Sequence, residues 1–246
     1  MDNASWQQRA QIKDDEIEVN ATGRFIKGFV WPNISIEFYL DISMVISHIL
    51  FIAITIAISR KCLLLQLART AKHAFYCAVA QVLCVSEAMM IRNALMHTTF
   101  GLLGCLLGFF GVGTEVLRKQ THFRSKHGRF GLAGCLLLFG SFFTGMWLLL
   151  QQLRNEFSIS LLFGHRVCGL FCFMATMGTL MFSYNTGFMH HNWQNNHIAV
   201  FKCCTLMAML GAVCYEYRYF AASIAALIPN QILDAISVYE RDRHLG

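Results

Sequence analysis

Residues His127–Leu150 read HGRFGLAGCLLLFGSFFTGMWLLL, and the fold turns on this stretch. A helix crosses the hydrocarbon core of a bilayer with roughly 20 apolar residues, and this run is long enough. It lacks the two-residue alternation of a barrel strand, so a transmembrane helix is the reading. To either side, five more runs have the same character: Phe38–Ile58, His73–Ile91, His97–Leu117, His165–Phe188 and Ile198–Tyr217. The last carries Lys202, Glu216 and Arg218 in or near it. The fold class expected is therefore an all-α membrane protein of six transmembrane helices. Residues 1–37 form a polar segment with an acidic cluster at Asp14, Asp15, Glu16 and Glu18. No apolar stretch opens the chain, so no cleavable signal peptide is expected. The domain expected spans 38–218. The tail, 219–246, is apolar from Tyr219 to Val238 and broken by Pro229. It reads as the end of helix six followed by an interfacial amphipathic helix.

Composition agrees. Of 246 residues, 56% are hydrophobic and 14% charged, whereas soluble domains run nearer a quarter charged. The mean hydropathy is +0.48. These values exclude a disordered chain and argue against a soluble enzyme. Most of the ten cysteines lie inside apolar runs, where they read as small buried thiols rather than a disulfide framework. The net charge of +6 is spread over loops and gives no sign of a nucleic-acid partner.

Six spans put both termini on one side. Loops one and three carry Arg60, Lys61, Arg69, Lys72, Arg118, Lys119, Arg124, Lys126 and Arg129. Loop two offers Arg92, and loop four Arg154 and Arg166. The positive-inside rule then places loops one and three in the cytosol and the termini outside. Glycosylation sequons at Asn3, Asn20 and Asn33 agree. Against this, short sequons arise by chance, and basic loops can bind anions on either face.

The chemistry lies in the histidines. Ten are present, and four of them open spans two to five: His73, His97, His127 and His165. A single histidine at a helix start is commonly an interfacial residue. Four in succession make a pattern, and ionisable groups in membranes are rare and usually functional. Alternating helix direction brings His73 and His127 to one side and His97 and His165 to the other. Two facing imidazoles can fill both axial positions of a haem iron, and bundles build cofactor sites from facing helices. Four residues after each histidine stands Cys77, Gly101, Gly131 or Gly169, on the same helix face. Small residues there leave room for a flat macrocycle, although glycine also serves helix packing, as at Gly104 and Gly108. Zinc needs three or four close ligands, and no Cys-x-x-Cys or acidic pair accompanies these histidines. His48 reads as a polar contact between helices. His190, His191 and His197 read as a solvated loop, with metal handling the minority reading.

The chain resembles the cytochrome b561 family, in its shorter, domain-containing type. The resemblance rests on His122-Phe123-Arg124-Ser125-Lys126-His127-Gly128, on His73 to Ser86-Glu87-Ala88, on His97 through Gly111 and Gly113, and on His165 to Gly169. It implies a four-helix core (helices 2–5) holding two haem b groups per chain. His73 with His127, and His97 with His165, are then the axial ligands of the haem iron. His122, Arg124 and Lys126 line a substrate site beside the first pair, with Arg92 on the other loop. The implied reaction carries electrons from ascorbate to monodehydroascorbate or a ferric chelate across the bilayer, as an ascorbate-dependent ferrireductase does. Family members often pair as homodimers and keep their termini in the cytosol, the reverse of the cation reading above. Two departures stand out: Lys72-His73-Ala74 replaces the family's Trp-His-Pro, and loop two is very short.

Two axial nitrogens leave iron no open position, so such a site passes single electrons and does not activate dioxygen. Phe100, Phe109, Phe139, Phe142, Phe143 and Phe171 are candidates to pack around the cofactors, or ordinary lipid-facing and core aromatics. Two other classes compete. One is a haem-free, histidine-rich metal or proton transporter, which needs polar groups along a continuous path. The other is a haem-binding membrane anchor for another subunit.

Overall fold

The computed structural model describes residues 36–68, 70–120, 124–156 and 158–227. They form α1 (Ile36–Leu64), α2 (Thr70–Met90), α3 (Ala94–Arg118), α4 (Lys126–Leu153), α5 (Ile159–Ser183), the short α6 (Gly187–Asn192) and α7 (Asn195–Leu227). Among the described residues there is no strand. A chain in hydrocarbon must satisfy its backbone internally, which long apolar runs do as helices. Six helices are long and apolar enough to cross a membrane, and the protein is an integral multi-pass membrane protein. Ile36–Glu216 form one compact unit, and α7 continues from it to Leu227. The acidic cluster, the sequons, Arg69, His122, Pro229, His244 and the expected amphipathic helix beyond Leu227 lie outside the described residues.

Polar side chains set the starts of three helices. Asn93, Ser125 and Ser158 each precede a helix and accept a hydrogen bond from a backbone N–H three residues on, at Met96, Gly128 and Leu161. These caps satisfy donors that the first turn leaves free. They also correct one boundary. Helix α5 starts at Ile159, so His165 lies two turns inside it rather than at its opening. Ser158 caps the apolar Ile159–Phe163 stretch, which a run counted from His165 leaves out. At the other end α5 stops at Ser183, and Phe188 belongs to α6. Helix α4 ends on Asn155 in the left-handed region (φ 59°), with the Glu156 N–H donating to the Gln151 carbonyl at 2.9 Å.

The largest buried cluster joins Phe51, Ile54 and Ile58 of α1 to Val82 of α2, Phe173 and Met177 of α5, and Ala208 and Ala212 of α7. A smaller layer takes one residue from each of α2 to α5: Val85, Cys105, Leu138 and Cys172. Large apolar side chains elsewhere face outward, as lipid solvent permits; Leu136 is 65% exposed. Helices α1 and α7 approach closely at Gly211. A Cβ there would stand 2.5 Å from Ser47 Oγ and 2.9 Å from the Ser43 carbonyl oxygen. Overpacking of this kind costs about 1–3 kcal/mol. Gly211→Val is therefore expected to lower the melting temperature of the purified protein by several degrees, read by intrinsic fluorescence. An unchanged melting temperature would show that the two helices can part without loss.

Helix α2 is not uniform. Ala78–Val85 are π-helical between two α-helical segments, and the Ser86 hydroxyl donates to the Gln81 carbonyl at 3.2 Å. A π segment holds more residues per turn, which rotates the rest of the helix about its axis. Glu87 and Ala88 lie in the rotated part, just past Ser86.

Candidate functional site: two histidine pairs

Side chains from four helices meet in two pairs. The His73 and His127 ring centres lie 6.1 Å apart with planes at 89°. Those of His97 and His165 lie 5.8 Å apart at 76°. Helix direction alone predicts this pairing, since α2 and α4 run one way and α3 and α5 the other.

Each ring is anchored through Nδ1 to a backbone carbonyl of the neighbouring antiparallel helix. His73 reaches Gly111 at 2.8 Å, and His97 reaches Ala88 at 2.6 Å. His127 reaches Thr179 at 3.0 Å, and His165 reaches Ser141 at 3.1 Å. A carbonyl oxygen only accepts, so Nδ1 carries the proton and donates in all four. The Nε2 lone pair of each neutral ring is thereby left for a metal. Metal-bound histidines are oriented in this way. Thr144 Oγ1, 3.2 Å from His165 Nδ1, adds a second contact to that ring.

The acceptors repeat along the helices. Residue Gly111 follows His97 by fourteen positions, Ser141 follows His127 by fourteen, and Thr179 follows His165 by fourteen. Fourteen residues are nearly four α-turns, so histidine and carbonyl lie on one face about 21 Å apart along the axis. In α2 the interval from His73 to Ala88 is fifteen. The π segment lies within that interval and takes up the extra residue. Helix α2 then ends at Met90, which leaves the Ala88 carbonyl free for His97.

These residues fit a bis-imidazole iron site. A metal–imidazole nitrogen bond is roughly 2 Å, so two rings in line on one ion have centres roughly 6 Å apart. Among the described residues, no group of three or more His, Cys, Asp or Glu could hold a metal ion. The expected clearance at the fourth position after each histidine is mixed. A Cβ on Gly101 meets nothing within 4 Å, whereas on Gly131 and Gly169 it meets Thr179 and Ser141 at ordinary contact distances. Cys77 Sγ lies 3.6 Å from His73 Nδ1. Gly145, which sequence reasoning passed over, is tighter: its Cβ would stand 2.9 Å from His165 Cε1.

The phenylalanines divide. Phe109 and Phe142 pack on the Val85–Cys105–Leu138–Cys172 layer between the pairs. Phe139, Phe143 and Phe171 are exposed, and Phe100 is half-buried. Near the His73–His127 pair, Arg124 and Lys126 are exposed. Glu115 binds Arg118 at 2.7 Å and Lys119 at 2.8 Å. On the opposite face Arg92 pairs with Glu216, and its guanidinium lies 5.1 Å from the Tyr215 ring centre. His190, His191 and His197 are exposed, on α6 and the first turn of α7. His48 does make a contact between helices: its Nδ1 is 2.7 Å from Glu87 Oε2. Glu87 inside an apolar run was the visible signal for this partner.

Residues 72–191 match the model of eukaryotic cytochrome b561. That segment contains all four paired histidines. No curated protein and no solved structure matches the chain. Over residues 72–191 the chain is similar to the cytochrome b561 family, whose members carry electrons across membranes by way of haem b.

Proposed function

We propose that the chain passes electrons across the bilayer through two haem b groups, one held by His73 and His127 and the other by His97 and His165. The observation that carries this reading is the anchoring of all four Nδ1 atoms on carbonyls, with the rings facing in pairs near 6 Å. Haem b supplies reversible one-electron chemistry at its iron. The chain's own residues do the rest. The four histidines would hold the two irons, one pair to each, and the group so held would supply electron transfer rather than dioxygen chemistry. The carbonyls fix each ring's proton and its angle. Val85, Cys105, Leu138 and Cys172 fill the space between the pairs with apolar and thiol groups. That layer favours a buried electron path over the polar path a transporter needs.

The donor is ascorbate or a similar small anion, and the acceptor is monodehydroascorbate or ferric iron in a chelate. Arg124 and Lys126, exposed beside His127, attract such anions and release them on water-facing side chains. His122 is the expected proton partner for ascorbate on the same loop. Arg92 is the expected cation on the opposite face, where Glu216 holds it.

The test is a reduced-minus-oxidised visible spectrum of the purified protein with haem stoichiometry, run with dithionite and again with ascorbate. Two low-spin b haems per chain that ascorbate reduces are the expected result. Reduction by dithionite alone would keep the two sites and exclude ascorbate. Absence of haem would overturn the reading.

A further inference from the structure

Glu87 is a buried acidic side chain that this electron path leaves without a role. It stands three residues before the end of α2, so its depth from the helix end is about 5 Å. Its side chain is 10% exposed. One carboxylate oxygen is 2.7 Å from His48 Nδ1, and the other is buried with no hydrogen-bond partner. His48, on α1, is 25% exposed and gives the pair contact with its surroundings. Ionisable side chains within a membrane mark proton or ion sites more often than structure. The next residue, Ala88, is the one whose carbonyl anchors His97.

We propose that Glu87 and His48 form a proton-binding site coupled to electron arrival at the His97–His165 pair. This rests on the haem reading above. An electron delivered to that pair adds negative charge near the Glu87 carboxylate, whose neighbour Ala88 holds the His97 ring, in a medium of low dielectric where like charges repel strongly. Uptake of one proton by the Glu87–His48 pair cancels the added charge. The electron comes from the other haem, and the proton from water at the loop-two face. On oxidation both leave, so charge and atoms balance over the cycle. The unpartnered oxygen is the place for the proton.

Several other groups surround the site. Cys84 lies one turn back on α2, near enough to feel the Glu87 charge. Arg92, just after α2, is paired with Glu216 of α7 and lies over Tyr215. His97 of α3 is held by the Ala88 carbonyl, and Arg92 and Arg166 both act on it electrostatically. On α1, His48 is the titratable group in contact with Glu87.

The experiment is a spectroelectrochemical titration of the purified holoprotein at a series of pH values, from about 4 to 8, where carboxyl and histidine groups titrate. One of the two haem transitions is expected to fall with rising pH, with a limiting slope of about 59 mV per tenfold change in proton activity for one electron. In Glu87→Gln that slope disappears and the transition moves to higher potential. Glu87→Asp restores the slope, which a merely structural role for the side chain does not explain. In a His73→Ala background, the single remaining transition is the sloping one. Two bound haems with the slope intact in Glu87→Gln, or with both transitions flat in the unaltered protein, would overturn the proposal alone. Absence of haem would overturn the underlying reading and the proposal together.

Discussion

Replacement of His97 by alanine is expected to leave a folded protein with one low-spin haem per chain in place of two. The haem expected to remain is the one proposed for His73 and His127, whose rings and carbonyl anchors lie about 21 Å away along the helix axes. Loss of a first ligand also frees His165, since that ring keeps its Ser141 and Thr144 contacts but no longer faces a second imidazole. Replacement of His73 removes the other haem, and the double variant His73→Ala/His97→Ala removes both. His190→Ala, on exposed α6, keeps both and is the control for histidine loss in general. The measurement is pyridine haemochrome content per chain, with a low-temperature magnetic resonance spectrum to count low-spin irons. Two low-spin irons in His97→Ala would sink the assignment of that pair. Electron transfer from one face to the other should fall by orders of magnitude in either single variant, because the gap left is too long to cross in one step.

Much of this arrangement was legible in the sequence, and the remainder was hidden for identifiable reasons. Six helices follow from apolar length alone, because a bilayer offers the backbone no other partner. The pairing of His73 with His127 and of His97 with His165 follows from alternating helix direction. The acceptors do not. A carbonyl has no letter in the sequence, so Gly111, Ala88, Thr179 and Ser141 become visible as partners only once the helices are docked. The same holds for the π segment of α2. Nothing in Ala78–Val85 announces it, and the fifteen-residue interval from His73 to Ala88 acquires meaning only beside the intervals of fourteen. His48 was legible as a contact between helices and Glu87 as an acid inside an apolar run, but their meeting was not, since the rotation introduced by the π segment helps to decide where Glu87 points. The start of α5 was misplaced because the apolar count began at a histidine and passed over the Ser158 cap.

Gly145 and Gly101 give the sharpest separation between a site built for a cofactor and a pair of histidines that merely touch. Both stand beside the His97–His165 pair. A methyl on Gly145 would meet His165 Cε1 at 2.9 Å, and that ring is held by the Ser141 carbonyl and Thr144. It cannot retreat without giving up an anchor. Gly145→Ala raises the intrinsic helix preference of α4 by about 1 kcal/mol, so the fold itself is not expected to weaken. The displaced ring should instead cost about 1–3 kcal/mol at the site, roughly a 5- to 150-fold loss of haem affinity there. Gly101 differs, because a Cβ there meets no protein atom within 4 Å. It shares a helix face with His97 one turn away. Gly101→Leu therefore crowds nothing in the protein, and it should still lower haem occupancy at this pair, because the macrocycle is what it meets. Both variants should keep the His73–His127 haem, so content falls toward one per chain while the melting temperature of the haem-free protein holds. Full occupancy in Gly101→Leu would mean that the flat face of the cofactor lies elsewhere. In that case Gly101 is one more small residue exposed to lipid, and the case for this pair rests on Gly145 and the carbonyl anchors alone.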